Sequence, residues 1–240
     1  MRNKSTMTTH HIEARLTGFA NRDKAKLLQG FFKTGPGEYG EGDVFLGVMV
    51  PNIRKVAKEF SGASLSEILP LLHSPYHEIR LLALLMFVQA YGKGDISLKK
   101  KIYEIYLKNT RYINNWDLVD LSAPNIVGAW LVDKSRTPLH TLVRSRDLWK
   151  RRISILATFY FIKQNDFDDS LLLAEQLLDD QQDLLHKAVG WMLREVGKRD
   201  LAVEERFLKQ HYKHMPRTML RYAIERFPEP KRLKYLQGKM

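Results

Sequence analysis

Apolar and polar positions along this chain repeat with a helical period. From Ile79, the residues Leu82, Ala83, Met86 and Ala90 fall on one side of a 3.6-residue turn, and Leu85 and Val88 widen that stripe. The same pattern predicts helices over 96–106, 118–131, 153–162, 171–178 and 189–196. Short breakers separate them: Ser74-Pro75, Gly92 to Gly94, Ser135 to Pro138, Asp166 to Asp169 and Pro216. No series of alternating strands is present, so the pattern predicts an all-α fold.

The predicted helices recur. Arg80, Trp116, Arg152, Lys187 and Arg221 each fall early in a helix with a similar apolar continuation, at spacings of 36, 36, 35 and 34 residues. A period in the mid-thirties is what stacked helix pairs give, because one pair alone cannot bury its apolar face. It is close to the tetratricopeptide length, but that consensus is absent. The expectation is a superhelical solenoid forming one domain over residues 1–240, with 1–8 and 229–240 as flexible ends. Equivalent positions of a solenoid line one surface. Four of these five are basic, so a basic stripe along one side is expected.

Composition narrows the class. Of 240 residues 44% are hydrophobic, which excludes whole-chain disorder. The formal charge of +12 favours a polyanionic partner, nucleic acid first and an anionic membrane surface second. Charge is uneven: 165–183 carries seven acidic residues and no basic one, whereas 201–240 carries ten basic and four acidic residues. An acidic outer face opposite a basic groove, or an ordinary solvated helix, would each account for the acidic stretch. There is no cysteine, which excludes disulfides, thiolate catalysis and cysteine-ligated zinc and fits a reducing compartment. The N-terminal residues lack the apolar core of a signal peptide. The longest strongly apolar run, Leu81 to Val88, is far short of the ~20 residues that span a bilayer. A soluble, cytoplasmic, monomeric protein is expected.

The stretch Asn114-Asn115-Trp116-Asp117-Leu118-Val119-Asp120 carries the most chemistry. Trp116 and Asp120 stand at i and i+4 and share a helix face. An aromatic plate beside a carboxylate can hold a cation, the ring face attracting it and the carboxylate neutralising it. A core role for Trp116, with Asp117 or Asp120 as a cap or ion-pair partner, fits the same letters. One repeat on, Arg151 and Arg152 sit beside Trp149 and Lys150; guanidinium groups grip phosphate through paired hydrogen bonds. Another repeat on, Trp191 has Lys187 at i−4. Near-equivalent positions of three consecutive repeats therefore hold Trp, Asp, Arg and Trp, which favours a shared concave site. The glycine-rich Gly35 to Asp43 lacks the Gly-Lys-Ser/Thr ending of a phosphate loop and reads as an ordered turn or a loop near the ligand. His10-His11, His211 and His214 lack a metal-site pattern, and no metal or other cofactor is expected.

At these residues the chain resembles the AlkD-like family of DNA alkylation repair proteins. The matching segments are NNWDLVDLSAP (114–124), DLWKRRISIL (147–156), HKAVGWMLREVGK (186–198) and FLGVMVPNIRKVAKEF (45–60), and the likeness runs from about residue 22 to 227. The resemblance implies HEAT-like repeats whose basic concave face holds duplex DNA. It implies a glycosylase that excises positively charged alkylated purines, chiefly 3-methyladenine and 7-methylguanine. By the same resemblance Asp120 is the catalytic carboxylate and Trp116 and Trp191 bracket the damaged nucleotide. Arg152 contacts the DNA backbone, with Arg151, Lys150, Lys187 and Arg221 as further DNA-binding residues. Two departures stand out. Asn115 occupies a position where the active pattern has a second Trp, and the Gly35–Asp43 insertion leaves the early aromatic contact to Phe31 or Phe32. Subgroups of the family that lost the functional residues bind DNA without excision, and a protein-interaction scaffold is the remaining alternative.

That chemistry is coherent. Methylation at N3 or N7 leaves the purine cationic, so it departs as a neutral base with little need of a general acid. Positive charge then builds on the sugar, as in glycoside hydrolysis. A single carboxylate suffices to stabilise it and to position a water, and indole faces add to the effect.

Overall fold

A computed structural model describes residues 8–240. The expected flexible segment 1–8 lies outside that range except for Thr8, which caps the first helix through its side chain. The protein is all-α. Among the described residues the sole strand-like feature is an isolated bridge between Val44 and Tyr76. Two compact units divide the chain at Ser122 and Ala123.

The first unit holds α1 (Thr9–Thr17), α2 (Arg22–Phe31), α3 (Val50–Glu59), α4 (Leu65–Leu72), α5 (His77–Lys93), α6 (Ile96–Lys108) and α7 (Trp116–Ala123, whose last residue begins the second unit). At its centre α5 packs against α3, α4 and α6. Its residues 77–87 are all buried, so the helix has no solvent face over three turns. That burial accounts for the widening of the apolar stripe at Leu85, while Val88 is half-buried.

The second unit continues with a π-helical turn (Pro124–Gly128), α8 (Ala129–Leu131), α9 (Thr137–Leu142), α10 (Leu148–Ile162), α11 (Asp168–Gln176), α12 (Asp183–Gly197), α13 (Leu201–His211), α14 (Arg217–Ala223) and α15 (Glu229–Leu236). The helix expected over 118–131 is thus interrupted. Pro124 lacks an N–H and crowds the carbonyl four residues back, and the backbone widens into a π turn there. Helices α10 and α12 form the middle of the unit: α10 packs on α9, α11 and α12, and α12 packs on α11, α13 and α14. Asp147 and Asp200 cap their helices by accepting from Trp149 N and Val203 N. In the segment 229–240, α15 covers Glu229–Leu236. Tyr235 is buried in it, and the Tyr212 hydroxyl donates to a backbone oxygen of Met240 at 2.9 Å.

Glycine sets how closely two of these helices approach. A Cβ on Gly190 in α12 would overlap the carbonyl of Met219 and the side chain of Tyr222 on α14, whereas a Cβ on Gly92 in α5 meets nothing within 4 Å. The same substitution therefore has opposite signs at the two sites. Gly92→Ala is expected to stabilise by about 0.5–1 kcal/mol through helix propensity. Gly190→Ala is expected to destabilise by about 1–3 kcal/mol through overpacking. Urea unfolding of the two variants beside wild type checks both signs.

Candidate active site

The start of α7 is built by the two residues that flank Trp116. Asn115 Oδ1 accepts from Trp116 N at 2.8 Å, and Asp117 Oδ1 accepts from Leu118 N at 2.8 Å. Helix N-termini leave such N–H groups without intrahelical partners, and two polar side chains satisfy them here. Asn115 and Asp117 are buried. Trp116 and Asp120 are half-buried and share the face that their spacing predicts.

Beneath this segment lies a charge cluster that sequence reasoning did not single out. His77, 1% exposed at the start of α5, places Nδ1 3.0 Å from Asp43 Oδ2 and Nε2 2.9 Å from Asp117 Oδ2. Asp43 also accepts from Asn115 Nδ2 at 3.1 Å and from the Arg80 guanidinium. Burial disfavours a charged imidazole, but the hydrogen bonds and charges of Asp117 and Asp43 outweigh it and raise the His77 pKa to about 9. For Asp43, burial works against ionisation, yet His77 and Arg80 bring its pKa down to about 2. Two buried anions thus meet two buried cations.

An aromatic stack joins this cluster to Trp116. The Phe32 ring stacks on Trp116 at 5.2 Å and 19°, and on Phe45 at 5.0 Å and 21°. Phe45 in turn stacks on His77 at 4.5 Å. Phe31 meets the edge of Trp116 at 6.0 Å and is 65% exposed, so the stack ends in an open aromatic edge. Both Phe residues expected near the site therefore touch Trp116, Phe32 from the core side and Phe31 from the solvent side. The loop carrying Phe45 is fixed by Glu78, whose carboxylate accepts from Leu46 N, Gly47 N and Val48 N at 2.9, 2.8 and 3.1 Å. Gly47 holds φ +79°, and a Cβ there would collide with the Asn21 carbonyl, so glycine is required.

In the second unit the expected DNA-binding residues are placed unevenly. Arg152 is 4% exposed, and its guanidinium donates to the Leu184 carbonyl. Arg151 Nε donates to Asp180 at 2.6 Å, while Nη1 donates to the carbonyls of Ser145 and Arg146. Both side chains tie the start of α10 to its surroundings. Lys187 pairs with Asp183 at 2.7 Å along α12, Lys150 is half-buried and Arg221 is exposed. Trp191 is half-buried, donates from Nε1 to Glu195 at 3.0 Å and lies 5.7 Å from the Phe159 ring. An exposed basic stripe at the repeat positions is therefore not what the side chains make. Arg80 and Arg152 are buried, because a guanidinium that reaches a carboxylate or a carbonyl across helices serves as a strut.

The acidic stretch is solvated only in part. Asp166 and Asp169 grip Arg136 at 2.6 Å each, Asp169 also meets His140 at 3.0 Å, and Asp180 holds Arg151. These three acids bind basic side chains of neighbouring segments, whereas Asp168, Glu175, Asp179 and Asp183 are exposed. Among the histidines set aside in the sequence, His11 packs on Phe60 and His211 on Phe207. Among the described residues no group of three or more His, Asp or Glu is arranged to hold a metal, and no helix is long and apolar enough to cross a membrane.

Comparison with known proteins agrees with this architecture. The chain superposes on a predicted DNA alkylation repair enzyme from Enterococcus faecalis with a TM-score of 0.67. Sequence identity is 16%, over 88% of this chain and 97% of that one, so the likeness is one of fold. No functionally curated protein matches the sequence. Residues 12–227 match the model of the DNA alkylation repair enzyme family, and the chain belongs to that family. The resemblance read from the four motifs is borne out at that level, and membership supports a role in the repair of alkylated DNA.

The charge cluster has a pH signature. A histidine whose pKa rises on folding from 6.5 to about 9 contributes stability that is complete below 6.5 and lost as pH rises through 9. Removing one partner of a buried ion cluster costs about 3–5 kcal/mol. His77→Gln is therefore expected to lower stability by about 3 kcal/mol at pH 6, and the gap to wild type should narrow above pH 9. Denaturant unfolding of both proteins at pH 6, 8 and 10 measures the gap.

Proposed function

We propose that the protein is a monofunctional DNA glycosylase that releases cationic alkylated purines, 3-methyladenine and 7-methylguanine, from duplex DNA. The observation that carries this reading is on α7. A half-buried carboxylate, Asp120, stands one turn from a half-buried indole, Trp116, whose ring is backed by Phe32 and edged by Phe31. A carboxylate beside a fixed π face suits a transition state in which positive charge spreads over a sugar. Asp120 would stabilise that charge and orient the attacking water. The lesion already carries the charge that makes the base a good leaving group, so no second acid is required at this site.

Trp191 would add a second aromatic surface against the damaged nucleotide, with Glu195 fixing its indole edge. Lys150, Lys187 and Arg221 would meet phosphates. Arg151 and Arg152 would act mainly by holding the start of α10, since their guanidiniums already bond Asp180 and the carbonyls of Ser145, Arg146 and Leu184. Family membership and the net charge of +12 support duplex DNA as the partner. The protein would act as a monomer, as one functional domain, in the cytoplasm.

Single-turnover release of 7-methylguanine from a duplex tests the proposal. Wild type should release the base, and Asp120→Asn should be slower by about 10²-fold or more at similar duplex affinity. No release by wild type despite tight duplex binding would replace this reading with non-catalytic DNA binding. Lys150→Ala should weaken binding and reduce the slope of log K against log salt by about one. Fluorescence anisotropy from 50 to 200 mM salt gives that slope, and an unchanged slope removes Lys150 from the phosphate contacts.

A further inference from the structure

We propose that Asp43 and His77 form a buried clamp that positions Trp116 and the first turns of α7, making the glycine-rich loop 35–43 a structural arm of the active site and His77 a positioning residue. The catalytic consequence rests on the glycosylase reading above; the positioning itself does not.

Both ring nitrogens of His77 face carboxylate oxygens, at 3.0 Å on Asp43 and 2.9 Å on Asp117. Ionised carboxylates only accept, so both contacts are made when the imidazole carries two protons. From this one ring, two routes reach the residues on either side of Trp116. One runs directly to Asp117, whose other oxygen takes the Leu118 N–H. The other runs through Asp43 to the Asn115 amide, whose oxygen takes the Trp116 N–H. A third link passes through aromatic rings, from His77 to Phe45 and Phe32 and from Phe32 to Trp116.

The loop explains why Asp43 can reach so far inside. Its glutamates are spent within the loop itself: Glu38 accepts from Gly35 N at 2.9 Å and Glu41 accepts from Gly37 N at 3.0 Å. Gly37 and Gly42 hold positive φ values of 76° and 83°, which fold the segment back so that its last acid enters the core at 5% exposure. The charged groups facing the clamp are Arg80 on Asp43 and the neighbouring Glu78, which is occupied by the Leu46–Val48 amides. With Arg80 included, the cluster of Asp43, Asp117, His77 and Arg80 balances to zero. Removing either proton-bearing contact of His77 leaves a buried acceptor facing a bare lone pair.

The test combines hydrogen exchange with single-turnover kinetics on three variants: His77→Gln, Asp117→Asn and the double variant. In His77→Gln the Trp116 and Leu118 amides should exchange about tenfold faster than the loss of global stability, read from the slowest α3 amides, accounts for. Base release should slow by about 10²-fold because the reacting groups lose their alignment, while duplex Kd stays within about threefold of wild type. The double variant should regain part of both losses, since the introduced amide at 77 can donate to Asp43 and accept from the amide at 117. A merely structural role would speed exchange at Trp116 and Leu118 no more than the global loss requires and change Kd together with rate. Unchanged exchange at Trp116 and Leu118 in His77→Gln, or faster exchange with undiminished base release, overturns the clamp. If His77→Gln is too unstable to study, Asp117→Asn alone must show faster Leu118 exchange and slower release, or the proposal fails. Should wild type release no base, the glycosylase reading falls, and the exchange data alone decide the clamp.

Discussion

A doubly protonated imidazole held between two buried carboxylates is the constraint on which the first unit depends. Taking His77, Asp43, Asp117 and Arg80 out of water costs several kcal/mol per ion before any contact is made. Apolar residues of similar volume would fill the space at lower cost. What they would not supply is direction: two anions at fixed angles from one ring hold Asn115 and Asp117, and those two hold the backbone of Trp116 between them. The aromatic stack from His77 to Trp116 adds area and stiffness to the same task. On the proposed glycosylase reading the indole face and the carboxylate would meet a developing charge, and such a site works by being in place beforehand.

The second unit uses charge differently. Its acids pair with basic side chains of preceding segments, Asp166 and Asp169 with Arg136 and Asp180 with Arg151, and so tie each helix to the turn that follows. In stacked helix pairs, every repeat touches only its neighbours, and an ion pair or a guanidinium–carbonyl bond fixes the spacing that apolar packing alone leaves loose. Four of the 39 basic side chains are thus engaged internally, with the net charge of +12 unchanged. Arg80, Arg136, Arg151 and Arg152 are struts, and among the expected DNA-binding residues Lys150, Lys187 and Arg221 lie nearer to solvent.

Membership in the DNA alkylation repair enzyme family and a shared fold at 16% identity are compatible because a repeat fold asks little of each position. Any apolar residue of suitable size keeps the helix pairs stacked. The motifs quoted from the sequence include positions with stricter demands. Asn115 and Asp117 cap a helix, Gly47 occupies a backbone region closed to other residues, and Gly190 lets α12 approach α14. Asn115, which departs from a pattern of paired tryptophans, is here a full member of the buried cluster.

The sequence by itself determined the all-α class, the positions of α5, α6, α7, α10, α11 and α12, the mid-thirties spacing of similar segments and the motifs of the family, since periodicity and local spacing are properties of neighbouring residues. It also placed Trp116 and Asp120 on one helix face, because a separation of four residues is enough to do so. The role of His77 and Asp43 was decided only by tertiary structure. The contacts that define them span 34 to 72 residues, and no local pattern marks a lone histidine or the last acid of a glycine-rich turn as partners. The same holds for Arg152 and for the acidic stretch. Whether a charge faces solvent or a neighbouring helix depends on what packing brings opposite it, and in this protein packing turned several of those charges inward.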